Sequence, residues 1–231
     1  MTPNKFTSVL TSAAFMLFSF TVNAQSNEKK ADEPSGDLEN FELAAKISTL
    51  GYSKKDPVLL LTAAKIVADY PARPIKTEKQ EPSVNPGKVE DKKDKGSPQL
   101  DAATLLKDAK DLAKGNQTIL TLITDVEKTT STSSRGRVYG PAYATRKVYG
   151  NSTYTDYLLF KAGELAEVAV IGDGDTDLDL YVYDENGNFI GSDTRSGDNC
   201  YVSWTPKWQG SFKIVVKNYG SVYNNYVLMS N

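Results

Sequence analysis

The feature that most restricts the fold is a change of hydrophobic period near residue 136. Upstream, apolar residues recur at the spacing of helices packed on one side; downstream they alternate, as in strands with one buried face. Eleven of the thirteen tyrosines lie between 139 and 226, on the strand side of this change. Tyrosine favours a pleated, half-buried surface. The chain therefore reads as α+β: N-terminal α-helical hairpins followed by a C-terminal antiparallel β-sandwich.

The helical part begins at residue 37, with Leu38, Phe41, Ala45 and Leu50 expected on one face and Gly51 as the stop. Asp56-Pro57 is an N-cap followed by proline at the first helical position, and the helix it starts is ended by Pro71. Ser97-Pro98 repeats that start for a third helix, with Leu105, Ala109 and Leu112 on one side and Gly115 just past its end. Residues 117–126 carry a fourth. Residues 71–97 hold four of the ten prolines amid mixed charge and are expected to be a linker within the helical region, 37–126. Residues 127–136, EKTTSTSSRG, read as a Ser/Thr-rich joint before a sandwich over 137–231. Strands are expected at 154–161, 165–171, 178–183, 189–192, 200–204, 212–217 and 223–229, with turns at Asn186-Gly187 and Trp208-Gln209-Gly210.

Lys5, an apolar run over residues 9–22 and the small-residue motif Val22-Asn23-Ala24 give residues 1–24 the form of a secretory signal. The run is shorter than a membrane span, so no transmembrane segment is expected after cleavage. Residues 25–36 are polar and expected to be disordered. These features predict export to the periplasm or the cell exterior. The single cysteine, Cys200, excludes an internal disulfide and sits in an alternating run as a small core residue. A formal net charge of −2 gives no electrostatic case for nucleic acid or an anionic membrane.

The charge is uneven, because residues 173–198 carry eight acids against Arg195 alone. Alternation through Asp177 to Tyr183 places Leu178, Leu180 and Val182 towards a core, and Asp177, Asp179, Tyr181 and Tyr183 on the opposite face. Asp173, Asp175 and Asp177 match the first ligand positions of an EF-hand, but Leu178 stands where that loop needs glycine and Asp184 where it needs a bidentate glutamate. Two readings stay open: a calcium site of other geometry using Asp173, Asp175, Asp177 and Asp179, or turn-making by the same residues through backbone N–H bonds. The chain has no histidine, which excludes His-ligated zinc sites and Ser-His-Asp or Cys-His catalysis. A carboxylate-dependent hydrolase using Asp177 and Asp179 is the remaining enzymatic alternative. Tyr181, Tyr183, Trp208, Tyr219 and Tyr223 are candidates for a flat face that stacks on a polysaccharide or docks on an envelope or extracellular protein. A helical protein-interaction scaffold is a further alternative.

Residues 150–231 also carry a resemblance. The run D-L-D-L-Y-V-Y-D, the N-G hairpin, the S-D-T stretch, W-T-P, G-S-F-K-I-V-V and the closing N-Y-V-L resemble the bacterial pre-peptidase C-terminal domain family. The upstream helices resemble the N-terminal parts of exported bacterial proteins that carry this β-domain. The resemblance implies a jelly-roll-like β-sandwich appended to secreted peptidases and credited with secretion, targeting or substrate adhesion. Related collagen-binding modules bind calcium, and Asp177 and Asp179 match the family's acidic strand. No peptidase unit is recognisable upstream, so the resemblance implies a non-enzymatic accessory or adhesion module.

Overall fold

The computed structural model describes residues 36–69, 73–84, 98–133 and 141–231. The signal at 1–24 and the polar segment at 25–35 lie outside the described residues. Four helices are present among the described residues: α1 Gly36–Lys54, α2 Pro57–Asp69, α3 Ala102–Ala113 and α4 Gln117–Ser133. Each of the last three has a side chain closing its first turn. Asp56 Oδ1 accepts from the N–H of Val58 at 2.8 Å, Asp101 Oδ2 from that of Thr104 at 2.8 Å, and Asn116 Oδ1 from that of Ile119 at 3.3 Å.

Four helical expectations are corrected. Gly51 does not stop α1, which runs on until Lys55 turns left-handed at φ 54°. The glycine instead lets α1 and α2 approach, since a Cβ there would lie 2.5 Å from Leu60 Cδ2. Leu50 is 47% exposed, because nine residues from Phe41 is about two and a half turns and places it on the opposite face. The third helix starts from Asp101, three residues beyond Pro98, and α4 continues through most of the expected joint at 127–136. Threonine hydroxyls of α4 donate back to carbonyls one turn earlier, as from Thr121 to Gln117 at 2.8 Å and Thr124 to Leu120 at 2.9 Å.

Ten strands are present among the described residues, the first two between α2 and α3 and the rest after α4: β1 Arg73–Pro74, β2 Lys79–Glu81, β3 Ala142–Val148, β4 Ser152–Phe160, β5 Ala166–Ile171, β6 Leu178–Tyr183, β7 Phe189–Asp193, β8 Asn199–Trp204, β9 Gly210–Asn218 and β10 Asn224–Ser230. They form two five-stranded sheets, ordered β1-β3-β10-β5-β8 and β2-β4-β9-β6-β7. All pairings are antiparallel except β1 with β3. The seven expected strands are present, and β3 is an addition. The segment expected as a linker is corrected too: its β1 extends the first sheet and its β2 the second, so one strap edges both.

Between the sheets lie Leu178, Leu180, Val182, Phe212, Ile214, Val216, Tyr226 and Leu228, all buried. An ion pair also crosses this interior, from Arg146 Nη2 on β3 to Asp156 Oδ1 on β4 at 3.0 Å, with Gln80 Nε2 of β2 donating to the same oxygen at 3.2 Å. The Asn186-Gly187 turn joins β6 to β7 as expected, with Gly187 at φ 82°. The Trp208-Gln209-Gly210 turn instead passes the chain from the first sheet to the second.

Among the described residues, the helices pack on the first sheet. Ala169, Ile171, Val227 and Met229, on the outer face of the first sheet, share a core with Leu38, Phe41, Leu60, Leu105 and Ile123. On the second sheet, Tyr181, Tyr183, Lys213, Val215 and Lys217 point outward and remain partly exposed.

Candidate functional site

The acidic stretch lies at one end of the sandwich, where the β5–β6, β7–β8 and β9–β10 loops meet. Asp173 is buried and its Oδ2 accepts from the Asn225 N–H at 2.7 Å. Asp177 Oδ1 accepts from the Gly197 N–H at 2.7 Å, and Asp198 Oδ2 from that of Gly174 at 2.5 Å. Asn224 ties the same loops, accepting from the Asp173 N–H at 3.3 Å and donating to Thr176 Oγ1 at 3.0 Å. Gly172 is needed here, since a Cβ would sit 2.1 Å from Asp198 Oδ2. Asp184 serves the β6–β7 turn in the same way, accepting from the N–H groups of Asn186 and Asn188 at 2.9 and 2.8 Å. The Asn188 side-chain amide and these N–H groups hold the Asp184 carboxyl below its ordinary range.

Calcium asks for six to eight converging oxygens. Among the described residues no three carboxylate or cysteine side chains come together in such an arrangement. Asp179 Oδ2 faces away from the loops and accepts from the Tyr181 hydroxyl at 2.6 Å. Asp173, Asp177 and Asp179 therefore each answer a different donor, and the set does not fit a calcium ion. The Asp177 and Asp179 carboxylates also have separate structural partners rather than a shared substrate position.

Asp193 is held by a further arrangement that sequence reasoning passed over. It is buried, accepts from Arg195 Nη2 at 2.8 Å and Nε at 3.0 Å, and accepts from the Tyr201 N–H at 2.9 Å. Burial alone would raise its pKa; the Arg195 guanidinium and two backbone N–H groups outweigh that and hold it low. Because β8 is an edge strand, this carboxylate also covers an N–H that would otherwise invite a foreign strand.

The open face of the second sheet gathers part of the predicted aromatic set. Tyr181 and Tyr183 stand on β6, and Tyr219 approaches from the end of β9, its hydroxyl 3.4 Å from that of Tyr181. Hydrogen bonds to Asp179 and Tyr219 raise the Tyr181 pKa, while Lys217 lowers that of Tyr219. Lys217 Nζ also lies 4.1 Å from the centre of the Tyr219 ring. Trp208 and Tyr223 are elsewhere: Trp208 stacks near Phe212 at the opposite end of the core, and Tyr223 takes Lys147 of β3 over its ring at 4.4 Å.

Strand register adds residues that the sequence did not single out. Lys79 pairs with Tyr157, Tyr157 with Lys213, Lys213 with Tyr183, and Tyr183 with Phe189. One row of side chains thus crosses all five strands, about 19 Å at the usual interstrand spacing. Lys79 Nζ lies 5.1 Å from the centre of the Tyr157 ring, and Tyr183 meets Phe189 edge to face at 5.9 Å. Phe189 is 60% exposed. The next row reads Glu81, Thr155, Val215, Tyr181, Ser192. Cross-strand pairing, visible only once the sheet order is known, brings these residues together.

A separate cleft of about 560 Å³ runs between α1 and the start of β8, lined by Glu39, Leu43, Lys46, Arg195, Asn199 and Tyr201. A smaller hollow of about 280 Å³ lies beside it, between Leu50 and the Gly172–Gly174 loop. The exposed Leu43 and Leu50 belong to this seam.

No family model matches the chain, and no curated protein matches it. Among solved structures it is similar to the pre-peptidase C-terminal domain of a Bacillus anthracis collagenase, at 12% identity and a TM-score of 0.35, over 39% of this chain and 88% of that one. Aeromonas hydrophila PliG, a periplasmic inhibitor of g-type lysozyme, matches at 18% identity and 0.32, over 39% and 84%. BiXyn10A CBM1 matches at 14% and 0.28, over 40% and 73%. Likenesses this remote assign neither family nor ligand.

Proposed function

We propose that the protein is an exported, non-catalytic binding module that presents the open face of its second sheet to a polysaccharide. The observation that carries this reading is the row Lys79, Tyr157, Lys213, Tyr183, Phe189, in which three rings and two lysines line up across the five strands of the sheet. Rings on a rigid sheet can stack on sugar faces at low entropic cost, and the amines and hydroxyls between them can bond the sugar hydroxyls. A protein partner suits this face less well, because the centres of protein interfaces are depleted in lysine. The helical scaffold alternative is disfavoured, since the helices use their apolar sides on the first sheet. The hydrolase alternative loses support from the separate structural bonds of Asp177 and Asp179. Export rests on residues 1–24.

Affinity electrophoresis of the exported chain through gels containing neutral and acidic polysaccharides tests this reading. At least one polymer should retard the protein, and Tyr157→Ala with Tyr183→Ala should restore free mobility, while Tyr223→Ala, on another surface, should not. Retardation that survives the double variant but disappears with Tyr223→Ala would move the site away from this face.

A further inference from the structure

The charges on the open face point to the kind of polymer, an inference that rests on the binding reading above. The face carries three cations, Lys79, Lys213 and Lys217, and two anions, Glu81 and Asp179. Both anions are engaged. Glu81 Oε1 accepts from Lys79 Nζ at 2.6 Å and from the Tyr157 hydroxyl at 3.3 Å, and Asp179 Oδ2 accepts from the Tyr181 hydroxyl at 2.6 Å. Engagement with Lys79 holds the Glu81 carboxyl below its ordinary range. Glu81 thus offsets Lys79, and Asp179 stands directly opposite Lys217 on the neighbouring strand, so what the face presents to a ligand is chiefly the charge of Lys213, on a chain whose net charge is −2.

Lys213 occupies the more telling place. It stands on β9 between Tyr157 on β4 and Tyr183 on β6, so two rings about 10 Å apart flank one ammonium. That separation is roughly the advance of two pyranose residues. A chain stacking alternate sugars on the two tyrosines would place the intervening sugar over Lys213. Lys217, two pleat repeats along the same strand, stands beside Tyr219 and opposite Asp179. We infer that the ligand is an acidic polysaccharide, a polymer bearing carboxylates at regular intervals, with Tyr157 and Tyr183 stacking on its rings and Lys213 meeting a carboxylate between them. A neutral glycan would leave the ammonium facing hydroxyls, and an acidic protein would not offer the ring periodicity.

The test compares the exported chain on polygalacturonate, alginate and hyaluronan, and on polygalacturonate whose carboxylates are methyl esters, by titration calorimetry at low and moderate salt. The expected result is binding to at least one acidic polymer, weakened about tenfold or more by esterification and reduced by salt. Lys213→Gln should weaken acidic binding about fivefold and narrow the gap between acid and ester. Thermal melts of each variant confirm that the fold is kept. Equal affinity for acid and ester, with loss in Tyr183→Ala, would overturn the acidic assignment and leave the binding face standing. Binding that Tyr157→Ala and Tyr183→Ala do not change would overturn both. Failure of all three acidic polymers alongside binding of a neutral glycan through the tyrosines would overturn this inference alone.

Discussion

The two sheets of the sandwich have equal strand numbers but opposite surroundings, and their strands are written differently. In β5 all six residues are buried, because the sandwich core lies on one side and the helices on the other. In β9 burial alternates along the whole strand, since its second face is open. A sheet covered on both sides needs nearly continuous apolar strands, and one facing solvent needs only every second position. The lesson is that AEVAVI and SFKIVVK report what lies above each sheet as well as the sheets themselves.

The sharpest way to break this contrast is to place the same charge on each outer face. Met229→Lys, in the fully buried seam under the helices, should cost more than about 4 kcal/mol or prevent folding, and Met229→Ala should cost about 2–5 kcal/mol. Val215→Lys, on the open face, should change stability by less than about 1 kcal/mol. Urea unfolding of the three variants measures all of these, and similar losses at both faces would mean that the second sheet is covered as well.

A smaller effect concerns the sheet edge. Asp193→Asn should destabilise by about 1–2 kcal/mol at neutral pH, through loss of the Arg195 and Tyr201 bonds to an ionised acceptor. The folded-state pKa of Asp193 is lowered, so its contribution is full above the unfolded value near ~3.9 and is lost as pH falls through the folded value. The gap between variant and parent should therefore close in acid, a result that denaturant titrations at pH 7 and pH 3 would check. The smallest effect is expected at the acidic loops. Calcium at about 1 mM should move the melting midpoint by less than about 2 °C, because a site that does not converge gives no linkage term. A larger, calcium-specific rise would show that the loops rearrange around an ion.

Much of the fold is legible in the sequence where periodicity is long. The seven strands from β4 to β10 and all four helices announce themselves by spacing and by caps such as Asp56-Pro57. The strands that escape notice are β1 and β2, two and three residues long, charged and proline-bearing, with too few side chains to show a period. β3 escapes because Arg146 occupies an inward position, paired with Asp156, where the pattern asks for an apolar residue. Turn-making by the aspartates is one of the two readings the sequence allows, and their hydrogen bonds fit it. The proposed binding face is less visible: Tyr181, Tyr183 and Tyr219 stand out in the sequence by residue type, whereas Tyr157, Lys213 and Phe189 join them only through register.

The placement of the two strands latest in sequence has a consequence for how the chain is made. β10 sits in the middle of the first sheet, between β3 and β5, and β9 in the middle of the second, between β4 and β6. A chain that has reached residue 204 has each sheet in two halves, β1-β3 and β5-β8 in the first and β2-β4 and β6-β7 in the second, and its helices lack the Val227 and Met229 floor. Sheet closure therefore waits for β9 and β10, each of which must find two partners far back in the chain, and such non-local pairing is slow.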